Sequence, residues 1–140
     1  MIRPWTARGW FNYYEIAATT CAPSMSRRTD AELLGDIREA IQRVRDYTAG
    51  MDYTEFAADT KTQDAVVRNI EIVGEAAKHL SEQVRRRYPH MPWKQMAGAR
   101  DRLIHHYFGV NIDIVWQIAD AELPMVQSIL ERIVPDERGS

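Results

Sequence analysis

The chain has 140 residues, 45% hydrophobic and 27% charged, with 7 Gly and 6 Pro, which is the composition and length of one ordinary globular domain. Eighteen Lys and Arg against twenty Asp and Glu leave a formal charge of -2, so any polyanionic partner must be read from local patches and not from the bulk charge. The single cysteine, Cys21, excludes an intramolecular disulfide and any Cys-based zinc or iron-sulfur site, and it suits a reducing compartment. No run approaches the roughly 18 apolar residues of a membrane span, and WFNYYEIAATTC lacks a secretory core, so a cytoplasmic protein with no membrane partner is expected.

Residues 1–28 hold five of the 13 aromatics and keep neither a helical nor a strand period, so they are expected to be an appendage. Met25 is a candidate start; the other reading is a short arm that docks its aromatics on the domain or on a partner. The domain is expected over 29–135, with a tail at 136–140.

From Thr29 onward the period is helical. Thr29 or Asp30 can cap a helix with Leu33, Leu34, Ile37, Ile41, Val44 and Tyr47 on one face, ending at Gly50. A short piece follows around Tyr53 to Asp59. The spacing of Val66, Ile70, Val73, Ala77, Leu80 and Val84 predicts a bundle seam in one helix from about Thr62 to Arg87, stopped by Pro89 and Pro92. After a PWKQM turn, a helix is predicted from about Ala97 to Phe108, closed by Gly109. Asn111 to Val134 repeats the pattern, with Pro124 tolerated in a first turn or as a kink. The expected fold is all-α, an antiparallel bundle of four main helices plus short helices.

Chemistry concentrates in one stretch. Between Lys78 and Arg102 there are seven basic residues (Lys78, Arg85, Arg86, Arg87, Lys94, Arg100, Arg102) against two acids (Glu82, Asp101), a local charge of +5 and a candidate phosphate track. The plainer reading of Arg85 to Arg87 is a helix C-terminus whose cations complement the dipole. Arg100-Asp101-Arg102-Leu103-Ile104-His105-His106-Tyr107 is the best functional candidate. Arg suits a charged phosphorane and His suits proton transfer near neutral pH, a pairing fit for phosphodiester chemistry. On one continuous helix Arg100 and His105 would sit about 140° apart, which favours a composite site built by two copies across a symmetry axis. Asp101 and His105, four apart, would share a face, so Asp101 is a candidate supporting carboxylate; Arg100 and Tyr107, seven apart, would share another. His105 and His106 diverge, and no HxxxH or HExxH accompanies them, so no metal site and no cofactor are expected. His79 and His90 have no evident partner. No P-loop, GxGxxG or GxSxG occurs.

The stretches TQDAVVRNIEIVGEAAKHLSE (Thr62 to Glu82) and YPHMPWKQMAGARDRLIHHYFGVNIDIVW (Tyr88 to Trp116) resemble the HepT-like ribonuclease toxins of the HEPN superfamily, a likeness running from about Asp30 to Val134. The order RNIEIVGEAAK, PW, AGARD, HHYFGV is specific. The family signature is an Arg, four to six residues, a His, one residue and a Tyr, matched here by Arg100, His105 and Tyr107. The resemblance implies a metal-independent endoribonuclease, a homodimer in which the Arg and His of both protomers meet. It also implies a cognate minimal nucleotidyltransferase antitoxin that silences the toxin by attaching AMP to the motif tyrosine, Tyr107. Residues 1–28 have no counterpart in that pattern. A non-catalytic RNA- or nucleotide-binding bundle is the alternative from a different class, and a purely structural interaction module is a third.

Overall fold

A computed structural model describes residues 28–105 and 109–139. Helix α1 (Asp30–Tyr47) starts in a capping box: the Thr29 hydroxyl accepts from the Glu32 amide and the Glu32 carboxylate accepts from the Thr29 amide. Thr29 is thus the cap, and Asp30 is used elsewhere. Its carboxylate accepts from the Ser81 amide at 2.9 Å and the Ser81 hydroxyl at 2.6 Å, tying the start of α1 to a point 51 residues away. Leu33, Leu34, Ile37, Ile41 and Val44 are buried as their spacing predicts, while Tyr47 is exposed. Gly50 turns the chain at φ 76, a left-handed conformation that glycine takes without a Cβ penalty.

A second capping box, Asp52 with Glu55, opens the short α2 (Tyr53–Ala57). The seam predicted for Thr62 to Arg87 is present, with every one of its six apolar positions buried, but it is carried by two helices. These are α3 (Thr60–His79) and α4 (Glu82–Arg87). The break falls at Leu80, whose backbone is extended, and Ser81, whose hydroxyl caps α4. Helix α3 packs chiefly on α1, and α1 also meets the C-terminal helix (Leu123–Gly139). At Gly74 α3 comes so close to the next element that a Cβ would lie 3.1 Å from the Met96 carbonyl oxygen.

The PWKQM stretch, predicted as a turn, is the helix α5 (Trp93–Ala97). The predicted helix from Ala97 to Phe108 does not form. Instead α6 (Ala99–Leu103) ends after five residues, and β1 (Ile104–His105) pairs antiparallel with β2 (Gly109–Val110), Ile104 opposite Val110 and His105 opposite Gly109. The physical reason is local. The Leu103 carbonyl, which a continuing helix would offer four residues ahead, accepts from the Asn111 amide at 2.8 Å, and Gly109 at φ 77 returns the chain.

Helix α7 (Ile112–Gln117) runs through a π turn (Ile118–Glu122) into α8 (Leu123–Gly139), so Asn111 onward forms one column that continues past Val134. Pro124 lies in the first turn of α8, just after the wide turn, where its missing N–H costs least. The fold is all-α apart from the two-residue ladder. Its long pieces are α1, α3 and the α7–α8 column, and the fourth expected helix is replaced by α5, α6 and the hairpin. No described helix is long and apolar enough to cross a membrane.

Candidate active site around the helix-to-strand break

Two anchors hold the motif segment. On its upstream side, Ala99 and Leu103 are buried at 5% and 1% exposure, four residues apart on α6, and fix that helix against the core. At about 100° per residue, Arg102 and Arg100 point to nearly opposite sides of α6. Arg102 turns inward to Glu122 of the π turn, donating from Nη1 at 2.8 Å and Nη2 at 2.7 Å in a bidentate fork. Arg100 points outward, its side chain 63% exposed, with Nε 3.6 Å from the Glu71 carboxylate of α3. That loose, wet pair orients the guanidinium without consuming it.

On its downstream side, the Asn111 side chain accepts from the Asp113 and Ile114 amides and caps α7. The Tyr53 hydroxyl of α2 donates to the Asp113 carboxylate, and this hydrogen bond holds the phenol's pKa above its usual value. Phe56, fully buried, packs on Trp116 with ring centroids 5.2 Å apart, and Tyr53 meets the same indole edge-on at 6.4 Å. The hairpin is therefore clamped between α6 and α7.

The structure places the expected site residues as follows. Arg100 and Asp101 are exposed on α6, and His105 follows two residues beyond the helix end, its backbone paired with Gly109. The geometry expected from a continuous helix therefore does not apply: neither the 140° separation of Arg100 and His105 nor the shared face of Asp101 and His105 exists. Tyr107, and with it the face it was expected to share with Arg100, lies outside the described residues. Arg85 donates to the Ala77 and Lys78 carbonyls at 2.9 and 2.8 Å, satisfying the C-terminus of α3 across the break. Arg86 pairs loosely with Glu82 on the exposed face of α4, and Arg87 is also exposed there. His79 does have a partner, Glu75 of its own helix, at 3.2 Å.

Sequence reasoning missed Glu71 and Glu122, which aim the two arginines of the motif. It also missed Asn69, 5% exposed on α3, whose amide donates to the Ala65 carbonyl while its Oδ1 has no partner among the described residues. Only a buried helical position occupied by Asn in RNIEIVGEAAK could have signalled it. Among the described residues no group of three or more His, Cys, Asp or Glu is gathered as a metal site.

The fork makes a pH prediction. Hydrogen bonding from Arg102 holds the Glu122 pKa below its usual 4.5, although partial burial opposes the shift. A carboxylate with a depressed folded pKa stabilises the native state above the unfolded value and loses that contribution as pH falls through the folded one. Glu122→Gln is expected to lower stability by about 1–2 kcal/mol at pH 7, allowing for solvent screening, and the gap to the parent protein should narrow as pH falls below 4.5 in denaturant titrations. A gap independent of pH would separate Glu122 from the acid limb.

The model of the family described as "Ribonuclease HepT-like" matches residues 37–133. The chain is 43% identical over 115 residues to the Methanocaldococcus jannaschii protein named "Putative RNase MJ0127", covering 82% of this chain and 95% of that one. It is 37% identical over 107 residues to the "Probable ribonuclease HepT" of Thermococcus cleftensis, covering 76% and 97%. No solved structure matches. With a family model spanning more than half of its length and relatives covered almost end to end, the chain belongs to the HepT-like, HEPN-type ribonuclease family.

Proposed function

We propose that this protein is the ribonuclease toxin of a toxin–antitoxin pair, a metal-independent endoribonuclease. The observation that carries the reading is the break after Leu103: it leaves Arg100 exposed on a short anchored helix and puts His105 on the clamped hairpin directly beyond it. The nucleophile is the ribose 2′-OH, which attacks the adjacent phosphorus while the bond to the 5′-oxygen breaks. His105 handles the proton and Arg100 stabilises the charge of the phosphorane, leaving cyclic phosphate and 5′-hydroxyl ends. Asp101 supports this field without reacting. Arg86 and Arg87 contact the RNA backbone, while Arg85 and Arg102, engaged with carbonyls and with Glu122, shape that surface.

The active form is a homodimer. Supporting this, Ile104 and Val110 stand opposite each other on the ladder with 46% and 39% of their surface exposed, an apolar pair beside His105 that a second copy would cover. Light scattering should give twice the chain mass, and a monomer that cleaves RNA would sink the composite site.

The test is cleavage of a labelled RNA by the pure protein in EDTA. Full activity is expected, with cyclic phosphate ends. Activity that disappears in EDTA and returns with one divalent ion would overturn the metal-independent chemistry, and RNA binding without cleavage would favour the non-catalytic bundle.

The partner is a minimal nucleotidyltransferase antitoxin that attaches AMP to Tyr107, two residues beyond His105, adding an anionic phosphate where RNA phosphates must approach. Incubation with ATP and the cognate transferase should place AMP on Tyr107 by peptide mass spectrometry and abolish cleavage. Tyr107→Phe should stay active under the same treatment; full activity after modification would refute the switch.

A further inference from the structure

We propose that the cleft between the Tyr88–Met91 turn and α8 is a second RNA subsite, holding a nucleotide several positions away from the scissile bond; the proposal rests on the reading of the chain as an RNA-cleaving protein. The cleft encloses about 390 Å³, within the range of small-ligand pockets and ample for one nucleobase. Its floor is apolar, made by Met91, Ile129 and Ile133, and its rim carries Tyr88, His90 and Arg132. An apolar recess edged by a guanidinium and by ring side chains is an arrangement that accepts a stacked base and its phosphate.

The cation at the rim is Arg132. Arg45, Arg85, Arg100 and Arg102 are each held by a partner within the protein. Exposed Arg132 and His90 have neither a hydrogen bond nor an ion pair among the described residues, so their donors remain available to an anion. Arg132 lies outside the basic stretch of the sequence, and α8 brings it there.

Position links the cleft to the motif. Ile129 to Ile133 of α8 face the turn that ends at Met91, and Leu123 to Val126 of the same helix line a narrower cavity with Pro92 and Arg102. The two hollows follow one another along α8 from Arg132 to Arg102, on the side of α6 opposite Arg100. Ten residues of helix from Glu122 to Arg132 span about 15 Å, a distance bridged by a few nucleotides of a single strand.

The experiment is RNA binding by full-length protein carrying His105→Ala to prevent turnover, measured by fluorescence anisotropy for a trinucleotide and an octanucleotide across a salt series. Without further change, the octamer should bind more tightly than the trimer. Adding Arg132→Ala, at an exposed site where folding is safe, should weaken octamer binding by about tenfold and reduce its log–log salt slope by about 0.7, the share of one single-strand phosphate contact. Ile129→Trp, which fills the cleft without removing a charge, should also erase the octamer's advantage. Lys61→Ala, an exposed cation at the start of α3, is the control for general field effects. Octamer binding unchanged in both cleft variants, or weakened as much by Lys61→Ala, would overturn the subsite. RNA cleavage by the protein with His105 intact is scored separately: the predicted binding losses without any cleavage would retain the subsite and discard the ribonuclease reading.

Discussion

Arg100→Ala and His105→Ala should each lower RNA cleavage by about 10²–10³-fold while leaving the fold intact. The size follows from what each group supplies: proton transfer by a positioned side chain is worth about 10²–10⁴ in rate, and loss of one donor to a developing oxyanion costs about 10²–10³. Stability should hardly change. The Arg100 side chain is 63% exposed and its pair with Glu71 is long, so its truncation removes little packing and a weak ion pair. The ladder at His105 is a backbone pairing with Gly109, which alanine retains. Arg100→Lys should recover only part of the lost activity, because an ammonium keeps the charge but not the planar fork that matches phosphate oxygens. Single-turnover cleavage of a labelled RNA, with thermal melting of each variant alongside, checks the result. Full cleavage by Arg100→Ala would remove the proposed electrophilic role.

Phe56→Ala is expected to cost about 3–5 kcal/mol, a large part of the stability of a domain this size. Phe56 is fully buried and is the one residue of α2 that enters the core, where its ring lies on Trp116. Its removal leaves a cavity that the five-residue α2 cannot fill without releasing the Tyr53–Asp113 hydrogen bond at the start of α7. The melting temperature should fall by roughly 10–20 °C. Because α7 carries the downstream anchor of the hairpin, amide exchange at Val110 and Asn111 should accelerate well before global unfolding. Phe56→Leu, which retains most of the volume, should lose much less. Equal protection of those amides in Phe56→Ala and the parent protein would show that the α2 clamp does not govern the hairpin.

The long helices and their buried faces were legible because burial imposes a period of 3.6 on the sequence. Every seam position from Val66 to Val84 is buried as its spacing predicted, and the all-α class follows from the same pattern. Caps are also local signals, which is why the cap could be narrowed to Thr29 or Asp30, and Thr29 takes the role. The combination of Arg100, His105 and Tyr107 was visible as a motif, since a motif is a matter of residue identity and order.

Breaks in helices were less legible. The apolar period passes through Leu80 and Ser81 unaltered because Val84 regains the same core after the turn, and the long-range tie to Ser81 comes from Asp30, brought in by α1. The segment after Leu103 reads as a helix because Leu103, Ile104, Tyr107 and Phe108 fall at helical spacing. Its fate is decided by the Asn111 amide, which reaches the Leu103 carbonyl from the far side of the hairpin.

Sequence alone determined the helical class, the core faces and the identity of the motif residues, because each depends on neighbours within a turn or two. Tertiary structure alone decided that His105 leaves the helix that carries Arg100, that Arg102 is taken by Glu122 while Arg100 faces solvent, and that Arg132 joins His90 at one cleft. These outcomes depend on hydrogen bonds and packing between residues far apart in the chain, and no local period records which distant carboxylate or amide will arrive.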